Sequence, residues 1–178
     1  KEVIETWKSR DLMVLGNLYN ATNWANWIKK WDLTQPIDTW FGVKINSEGC
    51  VTCLDLDGVE DCNSEKLAGN NLVGELPDTI GYLSDLETLR LFKEPKLSGA
   101  LPQTISQLLN LKALFINETN ISGQIPSGII NLTKLLHLTL AKNNFSGTIP
   151  RNLDKLQNLA TLRLHINKLT GFLPEELG

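Results

Sequence analysis

One pattern of apolar and polar positions recurs five times between Leu54 and the end of the chain. Each unit starts with two apolar residues separated by one outward residue, the alternation of a short β-strand with one buried face. These apolar pairs are Leu54/Leu56, Leu89/Leu91, Leu114/Ile116, Leu138/Leu140 and Leu162/Leu164. A glycine follows in every unit, and the steps between these glycines are 25, 24, 24 and 24 residues, from Gly74, Gly99, Gly123, Gly147 and Gly171. Self-similarity at this period predicts a solenoid.

The rest of each unit predicts how the coil turns and closes. Three residues past the strand pair, or after an insertion in the first unit, stands an asparagine that can satisfy backbone groups of neighbouring coils: Asn70, Asn143 and Asn167. Thr119 takes this place in the third unit, and Glu94 with one extra residue in the second, so we predict an interrupted ladder there. A proline fixes the next bend. Later apolar residues close the coil: Ile80/Leu83, Ile105/Leu108, Ile129/Leu132 and Leu153/Leu156.

Residues 1–47 do not follow the repeat, and residues 48–178 contain the five units, the first with an insertion at about 57–69. The N-terminal segment has apolar residues at helical spacing, continued by tryptophans: Trp7, Leu12, Val14, Leu15, Leu18, Tyr19, Trp24, Trp27 and Trp31. Such residues could form an aromatic binding platform. A helical cap is favoured, because a solenoid needs cover for the core of its first coil.

Composition excludes several classes of function. The chain of 178 residues has a formal net charge of −3 and a pI near 5.4, without the basic face of a nucleic-acid-binding protein. It contains no apolar run of the roughly 20 residues that a membrane helix requires, so no membrane insertion is expected within it. The sequence begins at Lys1 without a signal-peptide pattern, so we expect that any such peptide was either removed or never part of this chain.

The three cysteines lie together, in or beside the first unit. Cys50 and Cys53 belong to one extended segment, so Cys62 is expected to pair with one of them and leave a third thiol. The alternatives are three free thiols or a metal site. Zinc would require a fourth ligand and neither histidine is near in sequence, so no metal and no cofactor are expected.

Longer motifs carry a family resemblance. The segments LYNATNWANW at 18–27 and WFGVKINSEGCVTCLDLDG at 40–58, with the repeated Leu-x-Gly-x-[Ile/Leu]-Pro, resemble secreted or surface leucine-rich-repeat proteins of the plant-type class. The cap is most similar to algal, protist and bacterial versions. Ile45 stands near the place where that class usually has a cap cysteine. The resemblance implies an α/β solenoid: a right-handed superhelix with a parallel β-sheet on its concave face, 3-10 helices and short strands on the convex side, and a helical cap.

The outward residues of the five strands form columns on the predicted concave sheet. One column contains Asp55, Arg90, Phe115, Thr139 and Arg163, and the next contains Asp57, Phe92, Asn117, Ala141 and His165. Their spacing predicts that Asp55 pairs with Arg90 and that Phe92 is diagonal to Phe115. Aromatic and arginine side chains anchor interfaces. The candidate ligand-binding residues are Asp55, Asp57, Arg90, Phe92, Lys93, Lys112, Phe115, Asn117, His137, Thr139, Arg163 and His165. The alternative is that these exposed side chains are scattered and without a role.

Catalysis is not expected. His137 and His165 lie on neighbouring strands but four positions apart, about 14 Å at ordinary strand spacings, which is too far for a dyad or a shared metal. Asp55 and Asp57 have the spacing of a glycosidase pair, but nothing in the pattern encloses them and Arg90 neutralises one.

Five sequons are candidate N-glycosylation sites, at Asn20, Asn117, Asn120, Asn131 and Asn144, although the repeat pattern itself generates such triplets. A glycan on Asn117 would occupy the candidate patch, so the two predictions exclude one another.

The resulting hypothesis is a non-catalytic recognition module, extracellular or at the cell surface, whose concave face binds a protein, a peptide or a polysaccharide. One alternative is the ectodomain of a membrane receptor or co-receptor. Another is an adhesive protein that self-associates through the open C-terminal end. The resemblance alone also implies an inhibitor of wall-degrading enzymes. The insertion at 57–69 is either a functional surface loop or an ornament.

Overall fold

The computed structural model describes residues 2–57 and 68–172, and the side chains from residue 9 onward. One α-helix, α1 (Glu2–Ala21), precedes eleven strands in the described part of the chain. In chain order the strands are β1 Val43–Ile45, β2 Val51–Asp55, β3 Gly74–Glu75, β4 Thr88–Glu94, β5 Leu97–Ser98, β6 Ala113–Thr119, β7 Ser122–Gln124, β8 His137–Thr139, β9 Asn144–Thr148, β10 Thr161–Arg163 and β11 Lys168–Thr170.

The predicted solenoid is confirmed. β1 is antiparallel to β2, and β2, β4, β6, β8 and β10 follow as parallel neighbours in one six-stranded sheet. Its outward side is called the concave face below. Each later coil returns through a 3-10 helix, as the fold class requires: Asp78–Tyr82, Gln103–Gln107, Ser127–Asn131 and Leu153–Lys155. The predicted inward strand residues of the first four units and the residues that close the coils lie in one continuous apolar core, and Leu162 and Leu164 of the fifth unit are partly buried against it.

A second set of short strands runs along one flank of the solenoid. β7, β9 and β11 form a three-stranded sheet, and β3 pairs with β5. In each coil a hydroxyl group donates to the glycine carbonyl of the coil before it, at 3.3 to 3.4 Å; the donors are Ser98, Ser122, Ser146 and Thr170. These bonds repeat the coil-to-coil register outside the main sheet.

The N-terminal segment packs on the first coil, but not as one long helix. α1 buries Val14, Leu15 and Leu18 and ends at Ala21. Short 3-10 helices follow at Trp24–Asn26 and Ile37–Thr39, so the tryptophan spacing does not continue α1. Two side chains expected on the buried face are largely exposed, Leu12 at 49% and Trp24 at 45%. Trp7 lies outside the described side chains.

Asp11 attaches this segment to the first repeat. Its carboxylate is buried and accepts a hydrogen bond from the Val51 backbone N–H at 2.9 Å, while Arg10 contacts the other oxygen at 3.2 Å. Burial raises the pKa of Asp11, and the hydrogen bonds from Val51 and Arg10 oppose that rise. Glycine is required next to this junction: a Cβ on Gly42 would lie 1.8 Å from the carbonyl oxygen of Asp55.

The interruption predicted at the second unit is wrong, because a polar side chain takes the place of the asparagine there. Asn143 accepts a hydrogen bond from the Thr119 backbone N–H at 3.0 Å and donates to two carbonyls. Asn167 in the next coil also donates to two carbonyls. In the second unit Glu94 takes this role: its buried carboxylate accepts the backbone N–H groups of Asn70 and Leu72.

Cys53 is disulfide-bonded and Cys50 is a buried free thiol. The third candidate, Cys62, lies outside the described residues, as does most of the insertion. The base of the insertion is described: the backbone N–H groups of Ala68 and Gly69 both donate to the carbonyl of Asp57.

Candidate recognition face

Arg90 lies at the N-terminal half of the concave face, between two buried carboxylates. Its Nη2 donates to Asp57 Oδ2 at 3.2 Å, and its Nε lies 3.3 Å from Asp55 Oδ2 without hydrogen-bond alignment. The predicted pairing of Asp55 with Arg90 is therefore present. Both carboxylates are 0% exposed, so the prediction that Asp55 and Asp57 contact a ligand is wrong. Their carboxylates instead form ion pairs with Arg90.

Two carboxyl groups and one guanidinium make this cluster electrostatically unbalanced. The pKa of Asp55 is raised to about 7: burial is the main cause, the nearby Asp57 carboxyl adds to the rise, and Arg90 opposes it. Removing the Arg90 side chain would leave buried acids without their cation, which is strongly destabilising. Arg90 is consequently part of the fold as well as of the surface.

Phe115 lies at the centre of the sheet and joins three strands. The guanidinium carbon of Arg90 is 5.3 Å from the centroid of its ring. The His137 ring stacks with it at a centroid distance of 5.9 Å and an interplanar angle of 22°. His137 Nδ1 in turn lies 3.2 Å from Thr161 Oγ1 on the next strand. This row was not predicted, although the register that places Phe115 diagonal to His137 could have revealed it.

Two other predicted contacts are buried. Asn117 and Thr139 are 8% and 2% exposed. The Asn117 amide donates to Thr139 Oγ1 at 2.8 Å and accepts from the Ala141 backbone N–H at 2.9 Å. Both ends of the amide are therefore used inside the sheet. The prediction that Asn117 contacts a ligand is therefore wrong. The prediction that it carries a glycan is also wrong, because a glycan would break these buried hydrogen bonds.

The remaining N-terminal candidates lie at the surface. Register pairs Arg90 with Phe115 and Phe92 with Asn117, so Phe92 and Phe115 are diagonal neighbours as predicted. Lys112 forms an exposed ion pair with Glu87 at 2.8 Å, and Lys93 is exposed at the turn that ends β4.

Arg163 and His165 are exposed on the last described strand of the sheet and just after it. No described residue forms an ion pair or hydrogen bond with either side chain. β10 pairs His137 with Thr161, four residues before His165, so the histidines do not form one site. No group of three metal-ligating side chains occurs among the residues described.

The other sequons lie away from the concave face. Asn20 is at the end of α1, Asn131 is in a 3-10 helix, and Asn120 and Asn144 are on the flank, where the Asn144 amide donates to the Asn120 carbonyl oxygen. Asn20, Asn120 and Asn131 are exposed and Asn144 is half-buried.

Comparison with known proteins identifies the family to which this solenoid belongs. A family model described as leucine-rich repeat region matches residues 66–177. The chain belongs to the leucine-rich-repeat family. No described helix of this leucine-rich-repeat protein combines the length and hydropathy needed to cross a bilayer.

Several plant proteins are similar to this leucine-rich-repeat chain. Polygalacturonase inhibitor 1 of Oryza sativa subsp. japonica is 35% identical over 46% of the chain, and that match spans 21% of the inhibitor. The crystal structure of a plant ice-binding protein has a TM-score of 0.82 and 29% identity, covering 95% of this chain and 52% of that one. The BIR3–SERK2 complex of Arabidopsis thaliana gives a TM-score of 0.75 and 28% identity, covering 94% and 87%. The match thus spans about a fifth of the rice inhibitor's length.

Proposed function

We propose that this leucine-rich-repeat protein is a non-catalytic extracellular recognition module that binds a protein or peptide on the part of its concave face formed by β6, β8 and β10. A cap over residues 1–47 and five repeats over 48–178 are part of the proposal. The observation that supports it most is the contrast between the two halves of the sheet. In the first half Arg90 is held in ion pairs with the buried Asp55 and Asp57, whereas Arg163 and His165 in the second half have no partner among the described residues.

The second half has the composition of a binding surface. Phe115 is half-buried with its ring held by Arg90 and His137, so it offers apolar area at a low cost in side-chain entropy. In register between Phe115 and Arg163 lies the small, buried Thr139, so a shallow depression separates the aromatic ring from the cation. Leu136, 40% exposed, adds apolar surface beside His137.

Glycan placement supports the same face. The exposed sequons lie at the end of α1, on the flank and on the convex side, while Asn117 is buried. A protein glycosylated at the exposed sites would keep its concave face clear. The similar proteins include a polygalacturonase inhibitor and a complex between two leucine-rich-repeat proteins, which favours a protein partner.

A paired-variant binding screen tests the proposal. The wild type, Arg163→Ala/His165→Ala and the matched surface variant Arg151→Ala would be screened against extracellular proteins, peptides and glycans of the source organism. We expect a protein or peptide whose affinity falls at least about tenfold in the double variant, the loss typical of an interface anchor, with Tm unchanged and Arg151→Ala equal to wild type.

The other outcomes separate the alternatives. Equal binding by all three proteins would refute the concave-face proposal. Binding of glycans alone would favour a polysaccharide ligand, and a mass by light scattering that rises with concentration would favour self-association. A membrane-spanning segment downstream in the gene would identify a receptor ectodomain with the same recognition face.

A further inference from the structure

A separate apolar groove lies in the N-terminal segment, away from the concave face. Its volume is about 420 Å3, and the side chains that line it come from α1, the segment after Trp31 and β1. Six of them are apolar or aromatic: Leu12, Leu33, Pro36, Ile37, Trp40 and Ile45. We call this surface the cap groove.

The walls of the cap groove are fixed by the fold. The Trp40 indole N–H donates to the Gln35 carbonyl at 3.0 Å, and the Thr39 hydroxyl donates to the Pro36 carbonyl at 2.6 Å. The Asp32 carboxylate accepts a hydrogen bond from the backbone N–H of Thr34 at 3.0 Å, which fixes the turn that precedes these residues. The opposite wall, Ile45, is on β1 and paired with Val51. The groove is therefore formed before any ligand arrives, which lowers the entropic cost of binding.

The groove leaves apolar surface in water. Leu12 and Leu33 are 49% and 56% exposed. One exposed leucine has no special meaning, but these two converge on the same concavity with Ile37 and Ile45. A concave site that is mostly apolar, with a few polar groups, is the usual composition of a ligand pocket.

The charged residue among those that line the cap groove is an aspartate, so the groove has a negative charge. Asp38 is exposed, and no described residue forms an ion pair or hydrogen bond with its carboxylate. Gln35, the other polar side chain of the lining, is uncharged. A ligand that fits this surface therefore has an apolar group beside a positive charge.

We propose that the cap groove is a second docking site, which binds a partner-protein segment that carries an aliphatic or aromatic side chain next to a lysine or arginine. This site does not depend on the concave face, because the two surfaces share no residue. A segment bound there could belong to the same partner or to a different one.

The test uses dipeptide probes and methyl NMR of the whole chain. Acetylated, amidated Leu-Lys would be titrated, with Leu-Ser, Leu-Glu and Ser-Lys as matched probes. We expect saturable shifts of the Leu33, Ile37 and Ile45 methyl signals with Leu-Lys, and binding about threefold to fivefold tighter than with Leu-Glu, the range of an exposed ion pair. Ser-Lys should not bind.

Two variant pairs complete the test. Asp38→Asn should bring the affinities for Leu-Lys and Leu-Ser within twofold of one another, while Asp154→Asn on the last 3-10 helix keeps the preference. Leu33→Ser should abolish the shifts, and Leu109→Ser, which removes an equally exposed leucine elsewhere, should not. The proposal is overturned if these methyl signals show no saturable shift with Leu-Lys, or if Asp38→Asn leaves the preference for lysine intact. The concave-face variant Arg163→Ala/His165→Ala should bind the probes like the wild type.

Discussion

Acidification should stabilise this protein, and Glu94 should account for a definable share of the effect. Glu94 is buried in the second repeat, and its pKa is raised to about 7. Burial is the main cause, backbone hydrogen bonds from Asn70, Leu72 and Asn71 oppose the rise, and the charge of Asp57 adds to it. An unfolded glutamate titrates near 4.3. Between these values the folded state binds more protons than the unfolded state, so the free energy of unfolding decreases as pH rises.

The size of the effect follows from the two pKa values. A folded pKa of about 7 makes Glu94 alone lower the free energy of unfolding by about 2.5 kcal/mol from pH 5 to pH 8. Asp55, with a pKa also raised to about 7, adds a decrease of the same sign and similar order. Most of this decrease in the free energy of unfolding is complete once the pH exceeds the folded pKa. The free energy of unfolding should therefore level off above about pH 8.

Urea unfolding at pH 5, 6, 7 and 8 measures this slope. Glu94→Gln resembles the protonated acid and cannot ionise, so its free energy of unfolding should fall by about 2.5 kcal/mol less than that of the wild type across the range. Glu118→Gln is the matched control, because it removes a more exposed carboxylate that is paired with Lys142 at the surface. If Glu94→Gln and the wild type show the same slope, the assignment of this pH dependence to the buried carboxylate is refuted.

Three further predictions concern the ladder, a strained turn and the thiols. Asn143→Ala should lower the free energy of unfolding by about 3 kcal/mol, because it leaves buried backbone groups unsatisfied; Asn158→Ala, which removes one exposed bond, should cost under about 1 kcal/mol in the same urea assay. Ile166 has φ +56° and is 67% exposed, so Ile166→Asn should raise stability by about 1 kcal/mol in thermal unfolding, and a lower Tm would contradict the strain. Cys50 should be the thiol that a maleimide labels in urea but not in buffer, and labelling at Cys53 without reductant would contradict the disulfide.

The repeat pattern was sufficient to predict the solenoid, the strand residues and the register that joins Asp55 to Arg90. It could do so because each coil repeats the same inward and outward positions. Accessibility on the outward side was not predictable in the same way. Whether Asp57 or Asn117 faces solvent depends on the size of the neighbouring side chains on adjacent strands. The alternation of residues within one strand carries no information about those neighbours.

The N-terminal segment shows a second limit of sequence reasoning. Leu12 fits the helical spacing of a buried face, yet α1 packs so that this side chain is half in water. No repeat constrains this segment, and its packing is set by contacts such as that of Asp11 with the Val51 N–H, 40 residues away. Glu94 is a related case: an acid at an asparagine position predicted a break, but its carboxylate accepts hydrogen bonds from two backbone N–H groups of the preceding coil.

The contact between Phe115 and His137 also makes the recognition face observable by spectroscopy. Protons held over an aromatic ring experience its ring current, so the imidazole signals of His137 should be displaced from those of a free histidine. A partner that inserts beside Phe115 would change that displacement without any attached label. The protein therefore contains a natural reporter of occupancy, in a chain with only two histidines to assign.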